Sequence, residues 1–310
     1  MTKSRREFLI QSGAALTAAA ALAGNPFRLD ANPLGLPIGL QLYTVKDELA
    51  KDYDGTLAQV AAVGYKEVEL AGFFGKKPAE IKASLDKAGL HCGSIHIPAS
   101  DQLAEAIDYA KVIGAKYVIS SVLLPKRLTE AGTKPDWDAM ITKLKAVTLD
   151  DYKSIAEQCN QMGAQAKQAG LQFGYHNHNI EFKPFPGGIG YDELLRSTDP
   201  QLVKLELDCG WISAAGFNPA TYLTKYPDRY RMLHIKDFKL TSKPSFGMWA
   251  PESPEPTELG RGNVNYKPIF SAAQKAGHIE WYYVEQEPPY KDMPAMEAIK
   301  VDYEYLHKLP

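Results

Sequence analysis

The apolar residues of this chain fall into short runs of strand character separated by helix-length amphipathic stretches. The runs occupy 38–43 (IGLQLY), 66–70 (KEVEL), 91–96 (HCGSIH), 116–121 (KYVISS), 171–176, 202–208, 231–236 and 280–286. Segments such as 101–113 and 151–169 carry apolar residues at helical spacing, and Gly64, Gly114, Gly170 and Gly277 stand where helices close. A phrase of alanine, glycine and a short strand recurs in AAVGYKEVEL, AKVIGAKYVI, AKQAGLQFGY and AAQKAGHIEWYYV, marking repeated helix-to-strand returns. Eight β/α units in about 280 residues predict an α/β fold, a (β/α)8 TIM barrel. The alternative is a doubly wound open sheet, but no glycine-rich phosphate loop follows the first strand.

The period of two within the strands says what faces inward. In 202–208, Val203, Leu205 and Leu207 share one face while Lys204, Glu206 and Asp208 share the other. Parallel strands covered by helices are apolar on the helix side, so the charged face points into the barrel. The same parity turns Gln41 and Tyr43, Glu67 and Glu69, Ser94 and His96, and His234 and Lys236 inward. Charges inside a barrel are costly unless paired or bound to metal. Four late strands deliver a ligand-type residue as their apolar pattern ends: His176 and His178, Asp208, His234, and Glu285 and Glu287. Convergence at the C-terminal mouth predicts a metal-dependent enzyme. His176 or Glu181, with Asp208, His234 and Glu285, mixes imidazole and carboxylate without thiolate. That set suits Mn2+, Mg2+, Co2+ or Zn2+ with positions left open for substrate oxygens. Asp208 reads as ligand rather than helix cap because Cys209-Gly210 follows it. Glu285 is preferred to Glu287 because the apolar strand reaches it directly.

Composition changes the picture mainly at the N-terminus. Arg5-Arg6 precedes an alanine-rich apolar stretch to about Ala23 that is short for a membrane span. Residues 1–31 therefore read as a twin-arginine export leader, leaving 32–310 as a single barrel domain in a periplasmic or exported protein without a stable membrane anchor. A formal net charge of −2 gives no reason to expect a nucleic-acid partner. The three cysteines, Cys92, Cys159 and Cys209, form no CxxC pair and read as buried thiols.

GLQLYTVKDEL (39–49), YHNHNIEF (175–182), LELDCGW (205–211), LHIKD (233–237), LGRGNVNYKPIF (259–270) and YYVEQE (282–287) together resemble the sugar phosphate isomerase/epimerase family of xylose-isomerase-like TIM barrels. The resemblance runs in the family's order over essentially the whole mature chain. It implies a metal site with a residue at the end of strand five, an Asp after strand six, a His on strand seven and a Glu on strand eight. Asp208, His234 and Glu285 match the last three. Many epimerases of the family carry Glu at the first position, whereas here His176 stands there and Glu181 follows. This is similar to a subgroup with the H-N-H-x-x-E-F pattern that includes lyases, hydratases and hydrolases of oxidised sugars. No glycine-rich anion nest supports a phosphate on the substrate.

The expected chemistry is metal-assisted proton removal next to a sugar carbonyl through an enediolate. Glu285 or Glu181 is the expected base, and His96, His178 or Lys236 the group that returns the proton, protonates a leaving oxygen or steadies the oxyanion. Gln41, Tyr43, Glu69 and Trp211 are candidate substrate contacts, with Tyr43, Trp211 and Phe74 as an aromatic floor. Returning the proton makes an isomerase or epimerase; expelling a β-substituent makes a lyase, with 3-keto-glycosides as the alternative substrates. A non-catalytic sugar-binding barrel is a further alternative. A metal endonuclease is disfavoured by seven histidines and balanced charge. Long insertions at 122–150 and 238–265, the second with Phe246 and Trp249, follow strands and are expected over the mouth as lids or a homo-oligomer contact.

Overall fold

The computed structural model describes residues 32–97, 102–129, 137–248, 253–287, 290 and 293–309; the expected leader and Trp249 lie outside them. Eight parallel strands close a barrel: β1 (Gly39–Gln41), β2 (Glu67–Ala71), β3 (His91–Ile97), β4 (Tyr117–Ser121), β5 (Gln172–His176), β6 (Val203–Asp208), β7 (Tyr230–Ile235) and β8 (Trp281–Val284). β1 pairs with both β2 and β8, which completes the ring. The outward residues of the strands pack on surrounding helices. The helix Asp151–Gln168 shows how: Tyr152, Ile155, Ala156, Cys159, Met162 and Ala166 recur every three or four residues and are all buried. Each large apolar side chain so covered contributes about 1.5–3 kcal/mol. All three cysteines are buried free thiols.

Two strands are shorter than their apolar runs. β1 stops at Gln41, whose side-chain Oε1 accepts a hydrogen bond from the Tyr43 backbone N–H (2.9 Å) and starts a 3-10 turn over Leu42–Val45. Strand parity therefore no longer applies to Tyr43, which is 36% exposed rather than inside the barrel. β8 stops at Val284, but the Glu285 N–H still donates to the Ile235 carbonyl (3.1 Å), so Glu285 leaves the barrel in a fixed direction.

The interior has an apolar floor and a polar upper half. Tyr117, Ile119, Met232 and Tyr283 form the floor, with Trp281 beneath. A Cβ at Gly39 would lie 2.4 Å from the Tyr283 ring, so only glycine lets that ring cross the barrel. Above it, the β6–β7 register shifts between Leu205 and Glu206, which sets Glu206 beside Met232 and Asp208 beside His234. Irregularities of this kind re-aim side chains at the rims of barrels.

The insertions carry a helix at Trp137–Lys145 and a two-stranded antiparallel ribbon pairing Asp237–Lys239 with Glu255–Thr257. With the turn after β5 they border a cavity of about 750 Å3 that Glu181, Lys183, Phe185 and Phe246 help to line. No helix among the described residues is long and apolar enough to cross a membrane.

Candidate metal centre

β5, β6, β7 and β8 bring His176, Asp208, His234 and Glu285 together at the C-terminal mouth. One donor atom from each lies within 4.8 Å of all the others, and all four residues are buried. His176 Nε2 stands 3.8 Å and His234 Nδ1 4.0 Å from Asp208 Oδ2, while His234 Nδ1 is 3.0 Å from Glu285 Oε2. Asp208 is ligand-placed and a helix cap at once, which corrects the reading that it does not cap. Its Oδ1 accepts from the Trp211 N–H (2.7 Å) at the start of the helix Cys209–Ala214. Its Oδ2 is buried and makes no hydrogen bond, although the Lys236 ammonium lies 3.2 Å away. Asn177 Oδ1 accepts from the Asp208 N–H (3.1 Å) and ties the end of β5 to the end of β6.

Beneath the quartet lies a second polar layer. Glu206 Oε2 is 2.7 Å from His96 Nε2, 3.0 Å from His176 Nδ1 and 3.2 Å from His234 Nε2. Glu69 Oε2 is 2.6 Å from His234 Nε2 and accepts from Gln41 Nε2 (2.8 Å), while Glu69 Oε1 accepts from the Ser94 hydroxyl (2.5 Å). Burial alone would raise a carboxyl here, but the surrounding imidazoles of His234 and His96 hold Glu206 well below its ordinary range. Glu69 goes the other way, raised by burial and by the Glu206 charge.

Above the quartet, Lys236 is buried and donates to Glu285 Oε2 (2.7 Å) and to Glu287. Burial would lower its pKa, yet Asp208, Glu285 and Glu287 reverse this and keep it a cation. Its chain passes Gly210, where a Cβ would meet Lys236 Cγ at 2.3 Å. His178 lies against His176 and Trp211, with ring centroids 4.8 and 5.7 Å away. Its Nδ1 is buried with no hydrogen-bond partner, and burial, then His176 and Lys236, keep the ring neutral. Burial raises Asp208 to about 6, and burial followed by the His234 charge lowers His176 to about 3.

Several expected roles do not match their positions. Glu181 is not in the quartet. Its Oε1 accepts from the Tyr175 hydroxyl (2.8 Å) and its Oε2 from the His178 N–H (2.9 Å), and Tyr175 points from β5 toward the helices. Gln41 and Glu69 face inward as parity requires, but they are fully buried below the histidines and support the site rather than meet a substrate. Trp211 is 1% exposed, with its indole N–H on Glu287 (3.1 Å) and Phe238 against its ring, so it offers no open floor. Tyr43 carries the Lys46 ammonium over its ring, and Phe74 packs on Tyr53. Glu287, set aside in favour of Glu285, belongs to the site through Lys236 and Trp211. His96 is not in the quartet; with His176, Glu206 and His234 it forms a second group whose donor atoms also lie within 4.8 Å of one another.

Two imidazoles and two carboxylates, one of them with a buried oxygen that makes no hydrogen bond, form a donor set that fits a divalent cation. Residues 57–309 match the xylose isomerase-like TIM barrel family. The chain belongs to that family. A curated relative, inosose dehydratase from Lacticaseibacillus casei, is 27% identical over 82% of this chain and 89% of its own length. A sugar phosphate isomerase/epimerase from Parabacteroides distasonis is 27% identical over 88% of this chain and 98% of that one, with a TM-score of 0.67. A xylose isomerase-like TIM barrel protein from Mycobacterium smegmatis, solved with magnesium, shares the fold at 19% identity and a TM-score of 0.61, covering 89% of this chain and 97% of that one. These similarities mark the chain as an enzyme of the isomerase or lyase kind.

Proposed function

We propose that the protein is a divalent-metal-dependent lyase of oxidised sugars or polyols, removing the proton next to a carbonyl and expelling a β-oxygen. The observation that carries this is the bare Asp208 Oδ2 within the quartet, flanked by a neutral imidazole and a fixed ammonium. His176, Asp208, His234 and Glu285 would hold the metal. When bound, the metal supplies Lewis acidity toward a substrate carbonyl. His178 is the base: its Nδ1 is neutral, buried and unengaged, whereas Glu285 is committed to His234 and Lys236 and Glu181 lies behind β5. The proton next to the carbonyl passes to His178 Nδ1. The electron pair it leaves forms the double bond as the β C–O bond breaks. Lys236, held cationic by three carboxylates and 3.2 Å from Asp208 Oδ2, protonates the departing oxygen. Return of the proton to carbon instead gives an epimerase or isomerase, the reading that the Parabacteroides distasonis protein favours. The curated relative's name supports elimination.

The test incubates the Mn2+- or Co2+-loaded chain in D2O with keto-polyols, 3-keto-glycosides and ketoses. Deuterium uptake with loss of water or an alcohol is expected, and His178→Gln slows both by about 10^2-fold or more. Uptake without elimination turns the reading to an epimerase; neither process with any substrate removes it. The Arg5-Arg6 leader supports a periplasmic or exported site of action and unphosphorylated substrates. Export that persists after both arginines become lysine would contradict the twin-arginine route, and retention of the unaltered chain inside the cell would contradict that placement.

A further inference from the structure

Below the metal-ligand quartet, a single carboxylate oxygen gathers three imidazoles. Glu206 Oε2 faces His96 Nε2 at 2.7 Å, His176 Nδ1 at 3.0 Å and His234 Nε2 at 3.2 Å. A carboxylate oxygen accepts and cannot donate, so each ring nitrogen turned toward it brings an N–H. A neutral imidazole has only one N–H, and a ring that donates downward therefore presents a lone pair upward. The upward nitrogen of His176 is Nε2, 3.8 Å from Asp208 Oδ2; that of His234 is Nδ1, which lies 3.0 Å from Glu285 Oε2 and by the same rule carries a second N–H in the metal-free chain, a proton whose place a cation would take. His234 Nε2 is shared with Glu69 Oε2 at 2.6 Å, whereas Glu206 is the carboxylate that holds His176.

We propose that Glu206 is the positioning residue of the metal site: from one oxygen it sets the ring plane and tautomer of His176 and, with Glu69, of His234, so that both imidazoles offer lone pairs to a single divalent ion. The inference rests on the metal reading above. Two further observations support it. Glu206 lies two residues before Asp208 on the inward face of β6, and the shifted β6–β7 register sets them beside Met232 and His234. One strand thus carries both a ligand and the group that orients two other ligands. Glu206 Oε1 is buried without a hydrogen bond; what separates Glu206 from Asp208, whose Oδ2 is equally bare, is that its Oε2 already meets three imidazole nitrogens. The need is specific to imidazole. A carboxylate can bind through either oxygen, but a histidine must be held in one tautomer, and a second-layer carboxylate is the usual means.

The experiment strips the full chain with a chelator and titrates it with Co2+, following the absorption of the bound ion. One Co2+ per chain is expected in the parent, and Glu206→Gln raises Kd by about 10- to 100-fold with a changed ligand-field spectrum. A Glu206→Gln chain that binds Co2+ within threefold of the parent and with the same spectrum overturns the proposal. A parent that takes two Co2+, one of them lost in Glu206→Gln, overturns it too, since Glu206 is then a ligand. A parent that takes none overturns the metal reading and this inference together, whereas the first two outcomes leave the metal reading standing. Imidazole 15N spectra of the Zn2+-loaded parent separate the proposed arrangement from a single ion held by Glu206 and His176 Nδ1, and they decide alone if Glu206→Gln does not fold. A proton on His176 Nδ1 is expected, and a proton on His176 Nε2 sinks the proposal.

Discussion

Strand β5 separates two glutamates that are almost equally buried and chemically opposite. On its inward side Glu206 faces three imidazole nitrogens and is held ionised. On its outward side Glu181 has only a phenol hydroxyl and a backbone N–H as partners, and burial raises it to about 7. Glu206 is 0% and Glu181 1% exposed, so burial does not distinguish them. What distinguishes them is the charge of their neighbours. The inward side of β5 is a place where ions are kept; the outward side tolerates the same residue as a neutral acid. Alternation of successive side chains across the strand is enough to produce that contrast. His176, turned inward, joins Asp208 and Glu285, while Tyr175, turned outward, joins Glu181.

The largest expected effect comes from discharging the inward side. Asp208→Asn keeps an oxygen for the Trp211 N–H, so the helix Cys209–Ala214 stays capped and the fold survives. It replaces the bare Oδ2 with a group that cannot act as an anionic ligand. We expect kcat/KM with Mn2+ or Co2+ to fall by about 10^3-fold or more, together with loss of bound metal after gel filtration. Activity within tenfold of the parent would mean that the inward side does not work through its charge at Asp208.

The barrel and the four residues of the quartet, His176 with Glu181 as its alternative, were legible in the sequence because both rest on short-range pattern. Period-two alternation identifies which residues of β6 and β7 point inward, and strand ends place His176, Asp208, His234 and Glu285 at the mouth. Pattern reading failed where a single hydrogen bond redirects the chain, as at Gln41, whose side chain ends β1 and carries Tyr43 out of the interior. It also failed where depth along the barrel axis matters. Gln41 and Glu69 face inward, yet they lie beneath the histidines, and parity carries no information on height. The role of Glu206 was within reach, since it stands two residues before Asp208 on the same face. Glu181 was not, because only the fold shows that the turn after β5 takes it behind the strand.

A smaller effect, confined to stability, sharpens the contrast from the outward side. Burial raises Glu181 from 4.5 to about 7, so the folded chain keeps a proton that the unfolded chain releases across that interval. The folded state binds more protons there, and stability falls as pH rises from 4.5 to about 7, then levels off. The decline attributable to this group is on the order of 3 kcal/mol. Glu181→Gln stays neutral throughout. Its amide oxygen can accept from the His178 N–H while its NH2 donates to the Tyr175 hydroxyl, which is free to reverse. The variant should therefore lose this part of the decline and keep kcat within about threefold of the parent. Asp302, raised to about 7 by burial, declines with the same sign and remains in the variant, so the slope is reduced rather than abolished. Urea midpoints at intervals between pH 4.5 and 8 measure the slope, and deuterium exchange measures the activity. An unchanged slope would deny that Glu181 is neutral when folded, and a loss of exchange would bring it back among the groups that touch substrate.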